Sequence, residues 1–120
     1  MYQEAVQHLE RTLTLAGLPE VAGNVHHAFA VSGYMGAMRE YAKELEHLQA
    51  TKRMLLPVNL AGVYTILGDR DRAFYWLEQA YKHGPGIGIP LWMMKSYVAL
   101  EPLHSDPRFK NLVRRIGLPP

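Results

Sequence analysis

Pro57 to Pro85, PVNLAGVYTILGDRDRAFYWLEQAYKHGP, decides how the rest of the chain is read. Leu60, Ala61 and Tyr64 fall on one face of a helix, and Ala73, Leu77 and Ala80 on one face of a second. Between the stripes stands Leu67-Gly68-Asp69, a tight turn. Pro57 suits a first helical turn, where its missing N–H is not needed. Asp69 is placed to cap the second helix, and Asp71 complements the positive helix start. Lys82 and His83 precede Gly84, as a helix C-terminus prefers. The local signals and the apolar period agree.

Working outward, Tyr2 to Ala16 reads as a helix with Ala5, Leu9, Leu13 and Ala16 on one face, ended by Gly17. Pro19 opens a second pattern over Glu20 to Ser32, with Val21, Val25, Ala28, Phe29 and Ser32 on one side. Gly33 breaks it, and the helix restarts at Tyr34 or Met35. Met38, Tyr41, Ala42, Leu45, Leu48 and Gln49 then form a stripe opposite Glu40, Lys43, Glu44 and His47. Gly84 to Pro90 (GPGIGIP) reads as a loop and Leu91 to Val98 as a short helix. Ser105-Asp106-Pro107 starts a last helix with Ser105 as its cap, and Phe109, Leu112, Val113 and Ile116 line its inner face. Gly117 and Pro119 stop it. No strand pair is legible, so the expected class is all-α.

The 120 residues make one domain, with 48% apolar and 20% charged residues typical of a globular chain. A formal charge of +2 is too slight to imply nucleic acid, which needs basic residues gathered on one face. Without cysteine there are neither disulfides nor thiolate metal sites. The N-terminus lacks the layout of a signal peptide, and no run approaches the ~20 apolar residues that cross a bilayer. A cytoplasmic location and no membrane partner are therefore expected.

Leu60, Ala61, Tyr64, Gly68, Ala73, Leu77, Ala80 and Pro85 together resemble the tetratricopeptide repeat, a helical hairpin of ~34 residues. Pro57 stands where that family carries a tryptophan. One repeat earlier Gly33 takes the part of Gly68, Val25 and Phe29 those of Leu60 and Tyr64, and Met38, Ala42 and Leu45 those of Ala73, Leu77 and Ala80. Met38 is large where a small residue is expected. The resemblance implies an all-α, TPR-like superhelix, or solenoid, of antiparallel helical hairpins within one domain over 1–120. Its parts would be a half repeat over 1–17, a degenerate repeat over 20–50, a well-formed repeat over 57–85 and a C-terminal capping helix over 91–118. The tail EPLHSDPRFKNLVRRIGLPP resembles the ends of repeat arrays in bacterial signalling and transcription-regulatory proteins.

Such arrays imply a scaffold that binds a peptide or protein partner on the concave face built by the first helix of each hairpin. Equivalent outward positions are Asn24 and Asn59, His27 and Gly62, Ala30 and Thr65, Val31 and Ile66. Asn24, His27, Val31, Asn59, Thr65 and Ile66 are thus the candidate peptide contacts. The alternative is a self-associating, helix-swapped homodimer acting as a regulatory domain, with Ala5, Leu9 and Leu13 offered to a second copy.

No residues point to catalysis or a cofactor. Ser32, Ser96 and Ser105 lack a nucleophile setting, and no paired carboxylates suggest acid–base work. Glu101, His104 and Asp106 fall in a turn where exposure is expected. His26 and His27 point about 100° apart on a helix and cannot easily chelate together, so no metal is expected, and His26 reads as a hydrogen-bonded core histidine. The GPGIGIP glycines lack the strand and lysine of a phosphate loop. Tyr75, Trp76, Tyr81 and Trp92 read as core or inter-repeat packing.

Overall fold

A computed structural model describes residues 2–51, 57–83 and 93–117. Among them every regular element is helical: α1 (Tyr2–Leu15), α2 (Pro19–Ala50), α3 (Pro57–Ile66), α4 (Arg70–His83), a 3₁₀ helix (Val98–Leu103) and α5 (Pro107–Ile116). None of these helices is long and apolar enough to cross a membrane. The chain forms two compact units, residues 1–44 and 45–120.

In the first unit α1 ends where the Leu18 N–H reaches the Leu13 carbonyl (2.8 Å) and the Gly17 N–H that of Thr14 (3.1 Å). These paired bonds satisfy carbonyls that the helix end would otherwise leave open. Across the reversal Glu10 meets His26 Nδ1 at 3.0 Å. α2 contains Gly33 at φ 73°, ψ −166°, so it is two arms meeting at an elbow. Asn24 Nδ2 donates to Glu44 Oε1 at 2.9 Å across a sequence gap of 20 residues. Along a straight helix that gap would span about 30 Å. The elbow therefore folds the arms back on each other, and Tyr34, just past it, stacks on Tyr2 of α1 with ring centroids 4.5 Å apart. Val21, Ala22, Val25, Ala37, Met38 and Ala42 are the buried apolar side chains of the arms in this unit.

In the second unit α3 and α4 form the expected hairpin. The Asp69 N–H reaches the Tyr64 carbonyl (2.9 Å) and the Gly68 N–H that of Thr65 (3.1 Å), with Gly68 at φ 83°. Asp69 caps α4, accepting from the Arg72 N–H at 3.1 Å. Leu60, Ala61, Ala73 and Leu77 are fully buried, with Tyr64 and Ala80 close behind. α5 starts with Asp106 as its cap, Oδ1 accepting from the Arg108 N–H at 2.9 Å, and Pro107 first in the helix. The cap is thus Asp106 rather than Ser105, one residue nearer the proline. Gly117 closes α5 in a left-handed conformation.

The residues 93–97 at the end of the expected 91–98 helix form turns, and the regular segment is the 3₁₀ helix beyond them, which contains Pro102. It packs on α3, and its Leu100 and Leu103 are fully buried. Proline's missing N–H and a tight turn fit a short 3₁₀ segment better than an α-helix. The GPGIGIP loop, Pro85 and Trp92 lie outside the described residues.

Candidate functional site

Asn24, His27 and Val31 share one face of the first arm of α2, spaced i, i+3, i+7, and all three are exposed. Val31 is 69% exposed, an apolar side chain held in water. The Asn24 amide is tethered by Glu44, which fixes its orientation and leaves its carbonyl oxygen able to accept.

In the second unit Asn59, Gly62 and Ile66 share the corresponding face of α3, but Thr65 does not join them. Thr65 is buried, and its hydroxyl donates to the Ala61 carbonyl at 2.8 Å. A threonine on an apolar helix face commonly satisfies its hydroxyl in this way, so here it is a packing residue. Gly62 is covered by Tyr97, whose ring would lie 2.8 Å from a Cβ at that position. Asn59 and Ile66 remain half-buried on either side. α3 is enclosed on most of its circumference, Pro57, Val58 and Leu60 to Thr65 all being buried.

The stripe on α1 keeps Leu9 and Leu13 of its expected members and takes Val6 in place of Ala5. Val6 and Leu13 are buried and Leu9 half-buried, whereas Ala5 and Ala16 are exposed. A β-branched valine beside an alanine carries more apolar area to bury, which decides between the two neighbours. His26 is hydrogen-bonded as expected, but it lies on the surface with its side chain 71% exposed, the Glu10 carboxylate being its anchor. Tyr75 and Tyr81 are exposed and Trp76 half-buried, so these aromatics are not core.

A polar constellation that the spacing did not announce joins α4 to α5. Arg108 Nη1 donates to Asp71 at 2.9 Å, and two turns further along both helices Arg115 forks onto Glu78, Nη1 to Oε2 at 3.2 Å and Nη2 to Oε1. Both pairs are 37 residues apart in sequence. A constant offset means that the helices run parallel. Arg108 also lies over the Phe74 ring (4.4 Å) and Arg115 over that of Tyr81 (5.0 Å), where the negative ring face attracts the cation. Hydrogen bonds from the Arg108 side chain and backbone hold the Asp106 carboxyl below its ordinary range.

At the centre of the second unit Tyr64 donates to Glu46 at 2.6 Å, and Arg72 approaches the same hydroxyl at 3.5 Å. Burial first, then the hydrogen bond to Glu46, raises the Tyr64 phenol above its usual value. The group is neutral and hydrogen-bonded, a tie between α2, α3 and α4. Glu101, in the 3₁₀ helix, is exposed, while His104 in the turn before α5 is half-buried against Phe109, ring centroids 4.6 Å apart. Among the described residues no group of three or more His, Asp or Glu gathers as a metal site.

Comparison of the chain with protein-family models, with curated proteins and with solved structures finds no match.

Proposed function

We propose that the chain is a tetratricopeptide-like array of helical hairpins that holds a peptide or protein partner and performs no chemistry of its own. The observation that carries this reading is the parallel register of α4 and α5 at a 37-residue offset. A stack of hairpins places every second helix parallel to the next one at an offset close to the repeat length of ~34 residues. α5 then stands as the second helix of a further unit, whose first helix is reduced to the 93–103 segment lying on α3. The reversals at Gly17, Gly33 and Gly68 support the same alternation of direction.

The contact surface within the first unit is the exposed strip of Asn24, His27 and Val31, two polar groups and one apolar group along an arm braced from behind by Glu44. A bound segment would bury Val31 and bond to Asn24 and His27. Self-association through α1 would first have to unpack Leu13, which already lies inside the fold.

Selection of a displayed peptide library on the immobilised chain tests the reading. Peptides so selected should lose at least tenfold in affinity for the Asn24→Ala/His27→Ala/Val31→Ala variant. An unchanged affinity would discard the strip, and failure to select any peptide would discard the binding function.

A further inference from the structure

We propose that the groove between α4 and α5 is a second docking surface, independent of the Asn24 strip, and that it takes an acidic polypeptide segment carrying an apolar side chain. The groove is open, ≈ 630 Å³ in volume, with Phe74 and Tyr75 among its lining residues on α4 and Asn111 and Arg115 among those on α5. Tyr75 is 53% exposed although aromatic, and it stands on the groove where an incoming apolar side chain would cover it, whereas Phe74 is already buried beneath Arg108. From Phe74 to Lys82 the α4 wall is about 12 Å long. That length accommodates roughly four residues of extended chain.

Charge selects the occupant. Residues 1–44 carry five acidic and three basic side chains, and residues 45–120 six acidic and ten basic. Three of the ten basic side chains, Lys82, Arg108 and Arg115, line the groove against one acidic one, Glu78. α5 has no acidic residue; Arg108 is held by Asp71 and Asp106 and Arg115 by Glu78, whereas Lys82 forms no ion pair among the described residues. Lys82 lies on the groove itself. Arg115 spends two N–H donors on Glu78 and retains others of its five for a ligand carboxylate. The side chain over Tyr81 keeps its guanidinium flat and in place, so little order is lost on binding.

A polypeptide fits better than a nucleic acid. A phosphate backbone presents charge at every step and calls for a continuous row of cations. Here Glu78 interrupts the row, and the Asp71 carboxylate stands 91% exposed near its start. A peptide can place carboxylates at Lys82 and Arg115, at one end of the groove, and lay an apolar residue on Tyr75 toward the other.

The test is a titration of the isotope-labelled chain, followed by amide NMR, with a peptide of Glu-Glu-Leu repeats, a control peptide with Gln in place of Glu, and a single-stranded DNA oligomer. The acidic peptide should perturb Tyr75, Gln79, Lys82 and Asn111 saturably, and bind at least tenfold more tightly than the Gln control. Raising salt from about 0.1 M to about 1 M shortens the screening length from ~10 Å to ~3 Å and should abolish the difference. Lys82→Glu should weaken the acidic peptide about tenfold and strengthen a Lys-Lys-Leu peptide. Asn111→Asp, a smaller change on the opposite wall, should act in the same direction should Lys82→Glu disturb folding. Equal binding of the Glu and Gln peptides overturns the proposal, as does the absence of saturable shifts. It is equally overturned when the oligomer binds more tightly than the acidic peptide, or when the shifts gather at Asn24, His27 and Val31.

Discussion

The reversals at Gly68 and Gly33 look alike in sequence, each a glycine between two apolar stripes, yet they are built differently. At Gly68 three residues, Leu67 to Asp69, separate α3 from α4, with two backbone bonds closing the first helix and Asp69 capping the second. At Gly33 nothing separates the arms: the helix turns at one residue in a backbone region that essentially only glycine enters. The first reversal spreads its cost over a hydrogen-bonded turn. The second concentrates it in one pair of dihedrals and relies on side chains, Asn24 with Glu44 and Tyr2 with Tyr34, to hold the result. A glycine between two helical stripes thus foretells a reversal without foretelling its construction.

Alanine at the two glycines gives the sharpest contrast, because a Cβ would meet no other atom within 4 Å at either position. Any loss is then backbone strain alone. Gly33→Ala should cost about 2–3 kcal/mol, read from urea unfolding. Gly68→Ala should cost about 1–1.5 kcal/mol, the usual penalty of a left-handed residue with a Cβ. A larger loss at Gly68 than at Gly33 would break the comparison. Asp69→Ala should cost about 1 kcal/mol by leaving the first turn of α4 uncapped, and no substitution at the elbow has an equivalent effect, since no capping residue stands there.

Smaller effects sharpen the picture at the far end of the second unit. Asp106 is held below its ordinary pKa by its bonds to Arg108, so it favours the folded state above its unfolded value and loses that contribution as pH falls through the lower, folded one. Hydrogen exchange at the first turn of α5 should therefore accelerate as pH drops below about 4, after correction for the intrinsic exchange rate. Smallest of all, Glu78→Gln should cost under about 1 kcal/mol, because a surface pair gains little in water, and the loss should fade with added salt. A loss well above that would mean that the parallel register depends on this pair rather than on Phe109, Leu112 and Val113 beneath it.

Most helix boundaries were legible because the signals are local. Pro19, Pro57 and Pro107 each open a helix, and Gly17, Gly68 and Gly117 follow the end of one. Ser105 and Asp106 were harder to separate, since both can cap, and the cap is the residue whose oxygen reaches the Arg108 N–H. The 3₁₀ helix was missed at its true place because its apolar residues, Val98 to Leu103, are too few to show a period. Asn24, His27 and Val31 share one exposed face of their arm, whereas on α3 Thr65 turns inward. α3 is apolar nearly all round, so periodicity along it cannot say which side meets solvent.

What the sequence by itself determined is the all-helical character, the stripes of Ala73, Leu77 and Ala80 or of Phe109, Leu112 and Val113, and the places where helices start and stop. These follow from backbone chemistry within a few residues. Only the tertiary structure decided that Val6 rather than Ala5 turns inward, that Tyr97 covers Gly62, and that α4 and α5 lie parallel with Arg108 and Arg115 reaching back 37 residues. Each of these depends on which surface arrives opposite, and an isolated helix carries no record of its neighbour.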